Sequence, residues 1–213
     1  MKVAIKRISS NPLGLLGLCL VTLMVVSALG ASIFSPYDPI QLNIMDRLQG
    51  PSANHLLGTD QLGRDLFSRV LFGGQVALKV AFLTIGLALI VGIVLGLIAG
   101  YGPAWLDNSI MLLFDTIRSV PTIMLALAAV AVVGPSITTV IFVIAVSSIP
   151  NYGRIVRTQT LTIKSKDFVN AERLMGASLL RILSIHLLPN ILGPLLILAS
   201  MDIPTIIALE AGL

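Results

Sequence analysis

The sharpest chemical signal in this sequence is an ionisable side chain well inside a long apolar run. Asp202 lies within the run Leu187 to Leu209, where a carboxylate is costly and normally faces protein or water. Two roles fit it: lining a path for a polar solute, or bonding to a neighbouring helix. Acid or base catalysis by Asp202 would need a second catalytic group at the same depth, and the apolar runs supply none. Asp115 and Arg118 stand three apart in another apolar run, a spacing that lets them pair structurally on one helical face. The two histidines, His55 and His186, fall on opposite sides of a membrane in the topology below and so cannot share a metal. Cys19 is the single cysteine, which excludes an intrachain disulfide and a thiolate cluster. No metal or other cofactor is therefore expected. Neither a G-x-x-x-x-G-K-[ST] phosphate loop nor H-E-x-x-H occurs, and no Gly is followed by Lys, so the sequence carries neither a nucleotide-cradling loop of that type nor a metalloprotease motif.

Two polar segments have helical spacing. In Ser165 to Asn190, Asp167 is a good N-cap, Phe168, Ala171 and Met175 recur at helical intervals, and Gly176 suits the left-handed position that ends a helix. A second helical run, Leu179 to Leu188, leads to Pro189. Such a short amphipathic helix either acts as a lever for a soluble partner or lies on the lipid surface. In Gly58 to Asp65, Thr59 or Asp60 can cap a helix whose Leu62, Leu66 and Val70 share a face; the alternative is a polar loop that steers the chain into the membrane.

The elements that must position these residues are membrane spans. Of 213 residues, 56% are hydrophobic and 11% charged, more apolar material than a soluble domain buries. The net charge of +4 comes from Lys and Arg scattered between apolar runs, with no basic face, which excludes nucleic-acid binding. A bilayer core needs about 20 apolar residues per helix, and five runs approach that length: Leu13 to Phe34, Val80 to Gly100, Ile110 to Val133, Ser136 to about Gly153, and Leu187 to Leu209. Gly134 and Pro135 force a tight reversal between the third and fourth. Gly92, Gly96 and Gly100 recur at spacing four and invite close packing by another helix. The first run is longer than a signal-peptide core, so it reads as an uncleaved helix. Lys2, Lys6 and Arg7 place the amino terminus inside, and alternation then puts Asn151 to His186, the densest positive cluster, inside as well. The loop Ser35 to Gln75 falls outside.

The stretch Asn170-Ala171-Glu172-Arg173-Leu174-Met175-Gly176-Ala177, followed by Leu187-Leu188-Pro189, resembles the E-A-A, three residues, G, then I-x-L-P signature of ATP-binding-cassette importer permeases. Asn170 stands where the family has Glu and Glu172 where it has Ala, so the acidic group is displaced. Gly58-Thr59-Asp60-Gln61-Leu62-Gly63-Arg64-Asp65 is similar to the G-T-D-x-x-G-R-D box of the dipeptide, oligopeptide and nickel permease branch. Asn11-Pro12, Ser35-Pro36-Tyr37-Asp38-Pro39 and Glu210-Ala211-Gly212-Leu213 also look like that branch.

The resemblance implies an all-α, polytopic membrane protein of the MetI-like importer permease fold, with residues 1–75 as an amino-terminal helix plus external loop and 76–213 as the permease core. Its segment 164–186 would couple to ATPases through Phe168, Asn170, Ala171, Glu172, Gly176, Ala177 and Pro189. The implied partners are a second permease, two cytoplasmic ATP-binding subunits and an external solute-binding protein, in a bacterial or archaeal cytoplasmic membrane. The implied cargo is peptide, glutathione or nickel. In the family Glu-Ala-Gly-Leu precedes an outer loop and a sixth span, so the expectation is a carboxyl-terminally incomplete chain, with a non-transporting fragment as the alternative.

Overall fold

The computed structural model describes residues 11–212; the basic residues Lys2, Lys6 and Arg7 and the terminal Leu213 lie outside them. The described residues are helical with no strand beyond an isolated antiparallel pairing of Thr59 with Asp65. The chain divides into two compact units, one up to Lys79 and one from Val80.

In the first unit, helix α1 (Pro12–Leu29) starts where the sequence provides both start signals. Asn11 accepts a hydrogen bond from Leu13 N at 3.1 Å, and Pro12 occupies the first turn, where its missing N–H costs nothing. Ala28 alone is buried along α1, so its apolar surface is left for lipid or a partner. The one-turn α2 (Ala31–Phe34) follows, and a loop with a short 3₁₀ turn at Ile44–Asp46 leads to α3 (Leu66–Tyr101), whose first residues belong to this unit.

The second unit is built on α6 (Ile137–Lys164), which buries residues along its whole length, from Thr139 to Ile163. Gly92, Gly96 and Gly100 of α3 face it as their spacing predicts. A Cβ on Gly92 would come within 2.8 Å of the Tyr152 Cβ, one on Gly96 within 2.6 Å of the Val156 Cβ, and one on Gly100 within 2.7 Å of the Thr160 Cβ. Gly153 of α6 in turn leaves room for the ring of Phe114, which is fully buried.

The apolar stretch Ile110 to Val133 is not one straight span. It is two helices, α4 (Ala104–Ser119) and α5 (Thr122–Val133), bent by 80°. Pro121 explains the break: it has no N–H to continue α4, and its ring holds Val120 extended at φ −100°, ψ 128°. Counting this pair as one span, the helices long and apolar enough to cross a membrane number up to five. Gly134 ends α5 at φ 100°, a left-handed conformation that suits glycine, and the chain reverses into α6 as expected. Helix α6 itself runs eleven residues past Gly153, through Pro150, so Arg154 and Arg157 are helical.

Asp115 and Arg118 do not pair with each other. Instead α4 is laced antiparallel to α6: Arg118 donates to Asn151, Arg154 pairs with Asp115, and Arg157 grips Asp107 with two bonds, one at 2.6 Å. Complementary groups on a packed neighbour outcompete an i, i+3 partner on the same exposed face.

The remaining helices are α7 (Asp167–Leu174), α8 (Leu179–Arg181) and α9 (Leu188–Ala211), the last two joined by a π-helical turn at Ile182–Leu187. What reads as a separate run and a fifth span is thus a single rod, Leu179–Ala211. Pro189 carries no N–H, and the ladder widens ahead of it, with Leu188 N bonding Leu183 O.

The α3–α6 contact yields a direct test. Replacing Gly96 with Leu must force the helices apart, because the backbone oxygen of Gly153 and the Val156 side chain already fill the space; the expected loss is about 1–3 kcal/mol. Gly86 has nothing within 4 Å of a Cβ, so Gly86→Ala is the neutral control. Thermal melting of the detergent-solubilised assembly distinguishes them, and equal melting of both variants would refute the packing account.

Candidate functional site

The segment Gly58 to Asp65 is a folded loop in which each patterned residue has a mechanical task. Gly58 and Gly63 adopt φ 78° and 73°, and a Cβ on either would strike backbone, Gln49 O and Asn43 O respectively. Only glycine serves there. Thr59 Oγ1 accepts from Gln49 N at 2.9 Å and donates to Asp46 O. Asp60 accepts from Leu62 N at 2.8 Å, Arg64 N at 3.0 Å and Arg64 Nε at 2.7 Å, with Arg69 at 3.5 Å.

The helix cap is neither Thr59 nor Asp60. It is Asp65, whose Oδ2 accepts from the N–H and hydroxyl of Ser68 at 2.8 and 2.7 Å, so α3 starts at Leu66 and Leu62 remains in the turn. A strong Asx turn at Asp60 competes with helix there, which pattern reading does not weigh. The other Asp65 oxygen meets Nδ1 of the buried His55 at 3.0 Å. His55 is thereby a structural partner of the box, which spacing alone did not reveal.

Both carboxyls are held in the charged form. Burial works to raise Asp60, but the backbone N–H groups of Arg64 and Leu62 and the Arg64 guanidinium prevail and hold it at about 2. Burial likewise opposes ionisation of Asp65, and the Ser68 bonds and His55 outweigh it, leaving its pKa below the ordinary value.

The α7 segment is built to resist displacement at its base while leaving an apolar surface open. Asp167 lies in the first turn rather than capping it; Lys166 is the N-cap, without a side-chain bond. The carboxylate there still favours the positive end of the helix. At the other end Gly176 takes φ 81°, with Gly176 N bonding Arg173 O and Ala177 N bonding Glu172 O, each at 3.0 Å, a Schellman closure. Val169 is the buried residue of α7, whereas Phe168, Asn170, Ala171, Leu174 and Met175 are exposed.

Two contacts tie α7 to long helices. Arg173 Nε donates to the Tyr101 hydroxyl at 3.0 Å and its guanidinium lies 4.9 Å from that ring, while Lys164 donates to Tyr101 O at 3.1 Å. Glu172 approaches Nε2 of His186, in the π turn, at 3.3 Å, and Phe168 stacks on the same imidazole at 5.9 Å. Glu172 is therefore turned inward to its own chain. Pro189 is exposed just after the turn. Tyr101 and His186 were not legible as partners because they are 72 and 14 residues from Arg173 and Glu172.

Asp202 is half-buried on α9, where one oxygen accepts from the Tyr152 hydroxyl at 2.8 Å. It also lines a cavity of about 320 Å³, together with Arg118, Asn151, Ser147, Ser148 and Thr205. Asp202 thus both ties α9 to α6 and borders a polar cavity. Among the described residues, no group of three or more His, Cys, Asp or Glu is disposed to hold a metal.

Comparisons with known proteins place this architecture. Residues 92–213 match the model of the binding-protein-dependent transport system inner membrane component, and residues 1–51 that of the N-terminal TM domain of oligopeptide transport permease C. The chain is 38% identical over 210 residues to the dipeptide transport system permease protein DppC of Alkalihalophilus pseudofirmus, covering 99% of this chain and 69% of that protein. It is 38% identical to the di/tripeptide transport system permease protein DppC of Pseudomonas aeruginosa over 92% of this chain and 67% of that one. It is 32% identical to the oligopeptide transport system permease protein OppC of Bacillus subtilis over 100% and 70%. The solved inward-facing MetNI methionine ABC transporter shares the fold, at a TM-score of 0.56, 23% identity, and coverage of 64% of this chain and 68% of that one.

The chain belongs to the family of binding-protein-dependent transport system inner membrane components. It is a multi-pass transmembrane permease subunit of an ABC importer, with no enzymatic role of its own, since ATP hydrolysis in this family belongs to separate subunits.

The loop predicts a pH response with a definite sign. Because Asp60 titrates at about 2 in the fold against 3.8 ordinarily, its stabilisation is complete above about pH 4 and drains away as the pH falls toward 2. Amide exchange at Leu62 and Arg64, normalised to intrinsic rates, is expected to stay slow down to about pH 4 and accelerate below it. In Asp60→Ala it should be fast throughout. Slow exchange in that variant would contradict the assignment.

Proposed function

We propose that this chain forms half of the translocation path of a short-peptide importer. It pairs with a second permease, two cytoplasmic ATPases and an external solute-binding protein in a bacterial or archaeal cytoplasmic membrane. Three relatives carry dipeptide, di/tripeptide or oligopeptide transport in their names, which supports peptide as cargo. Residues 1–75 would then comprise the amino-terminal helix and an external loop, and 76–213 the permease core. The amino terminus and the segment 164–186 would face the cytosol, as the excess of Lys164, Lys166, Arg173 and Arg181 supports.

The observation that carries this reading is the mounting of α7. A helix with Phe168, Leu174 and Met175 exposed has a surface for a soluble partner, and its ties to Tyr101 and His186 give any push two routes into long helices. ATP-driven closure of the partner subunits would move α7. The α3 helix and the Leu179–Ala211 rod would carry the displacement to the path. In this arrangement Phe168, Asn170, Ala171, Gly176 and Ala177 contact or shape the partner surface, Pro189 sets the π turn, and Glu172 serves the internal link. The Gly58 to Asp65 box holds the external loop over the start of α3.

Gly176 tests the coupling. Its Cβ position is open, so only the left-handed backbone resists substitution; Gly176→Val costs about 1–2 kcal/mol there and disfavours the closure that shapes the end of α7. The expected result in the whole transporter is ATP hydrolysis that persists while peptide uptake per ATP falls severalfold, with Gly176→Asn much milder. Normal uptake by the valine variant would argue against the mechanism. Orientation is checked with Arg173→Cys in a Cys19→Ser background: labelling by an impermeant maleimide only after cells are opened is expected, and labelling of sealed cells would reverse the topology.

A further inference from the structure

The cavity beside Asp202 contains two opposite charges that the protein keeps apart. Asp202 on α9 is held by the Tyr152 hydroxyl, and Arg118, near the end of α4, is held by the Asn151 side chain. Asn151 and Tyr152 are consecutive on α6, so one helix presents a carboxylate and a guanidinium to the same space through neutral hydrogen-bonding partners. Among the described residues neither charge has an ionic partner, although Asp107 and Asp115 of α4 both close salt bridges to arginines of α6. Ser148 and Thr205 border the same space.

Holding two opposite charges apart beside apolar helices is costly unless something satisfies them. Tyr152 occupies one oxygen of Asp202, which leaves the other as an acceptor, and the guanidinium retains donors beyond the one given to Asn151. The complementary solute has a cationic end and an anionic end, with amide groups between that can meet Ser148 and Thr205. The space, about 320 Å³, suits a small molecule.

We infer that Asp202 and Arg118 form a subsite for a zwitterionic peptide, Asp202 taking the terminal ammonium and Arg118 the terminal carboxylate. This rests on the permease reading above and narrows its cargo to short peptides with both termini free. Binding is transient by construction, because each charge keeps a protein partner to fall back on when the solute leaves.

The test uses proteoliposomes holding the whole transporter, with dialanine, N-acetyl-dialanine and dialanine amide each supplied at a concentration that saturates the external binding protein. Uptake and binding-protein-stimulated ATPase are read in parallel. Asp202→Asn is expected to lower dialanine uptake about tenfold or more. N-acetyl-dialanine uptake should fall far less, the stimulated ATPase reports that the assembly is intact, and Asp202→Glu should largely restore dialanine. Arg118→Gln should spare dialanine amide in the same way. Equal losses for free and blocked peptides, or no loss, overturn the assignment. Wild-type uptake of other solutes without dialanine uptake overturns it while the permease reading stands. Absence of any uptake or ATPase stimulation in the wild type defeats both.

Discussion

Contact between α3 and α6 is possible only because three side chains are missing. In a bilayer, apolar residues gain little by leaving lipid for protein, so helices associate through close packing, and Gly92, Gly96 and Gly100 let the α6 backbone approach at each turn. Everything else in the second unit is referred to α6. Phe114 fills the gap at Gly153, the Asp107, Asp115 and Arg118 ladder fixes the rotation of α4, and Tyr152 reaches Asp202 of α9. A single central helix thus sets the positions of three neighbours.

That arrangement accounts for how much could be read from residue order. Long apolar runs and the glycine spacing are local properties, so the spans, the α5–α6 reversal and the glycine seam were legible. Pairings over long separations were not. Asp115 had a candidate partner at Arg118 and another at Arg154, and nothing local says that the second wins. The break at Pro121 was readable in principle from proline's missing donor, but the apolar residues that continue on both sides of it mask it. The box from Gly58 to Asp65 is a similar case: the residue types announced a special turn, while the choice of Asp65 as the cap depended on the Asp60 turn forming first.

The α7 segment shows why a departure from a family pattern need not be a defect. Glu172 replaces a small residue and turns toward His186, so it lies against the π turn and not on the outward surface. Arg173 does the same through the face and hydroxyl of Tyr101. The outward surface is left chiefly to Leu174 and Met175, which are apolar and adaptable. Rigid mounting and a compliant face are thus separated within one short segment.

The bend at Pro121 also bears on solvent. Where α4 stops and α5 begins, backbone groups lose their helical partners, and hydrocarbon cannot supply replacements. Val120, Pro121 and Thr122 border the same cavity as Asp202 and Arg118. The elbow therefore places backbone groups released from their helical bonds at the rim of a polar cavity, where side chains such as Asn151 and Thr205 replace the hydrocarbon that could not meet them.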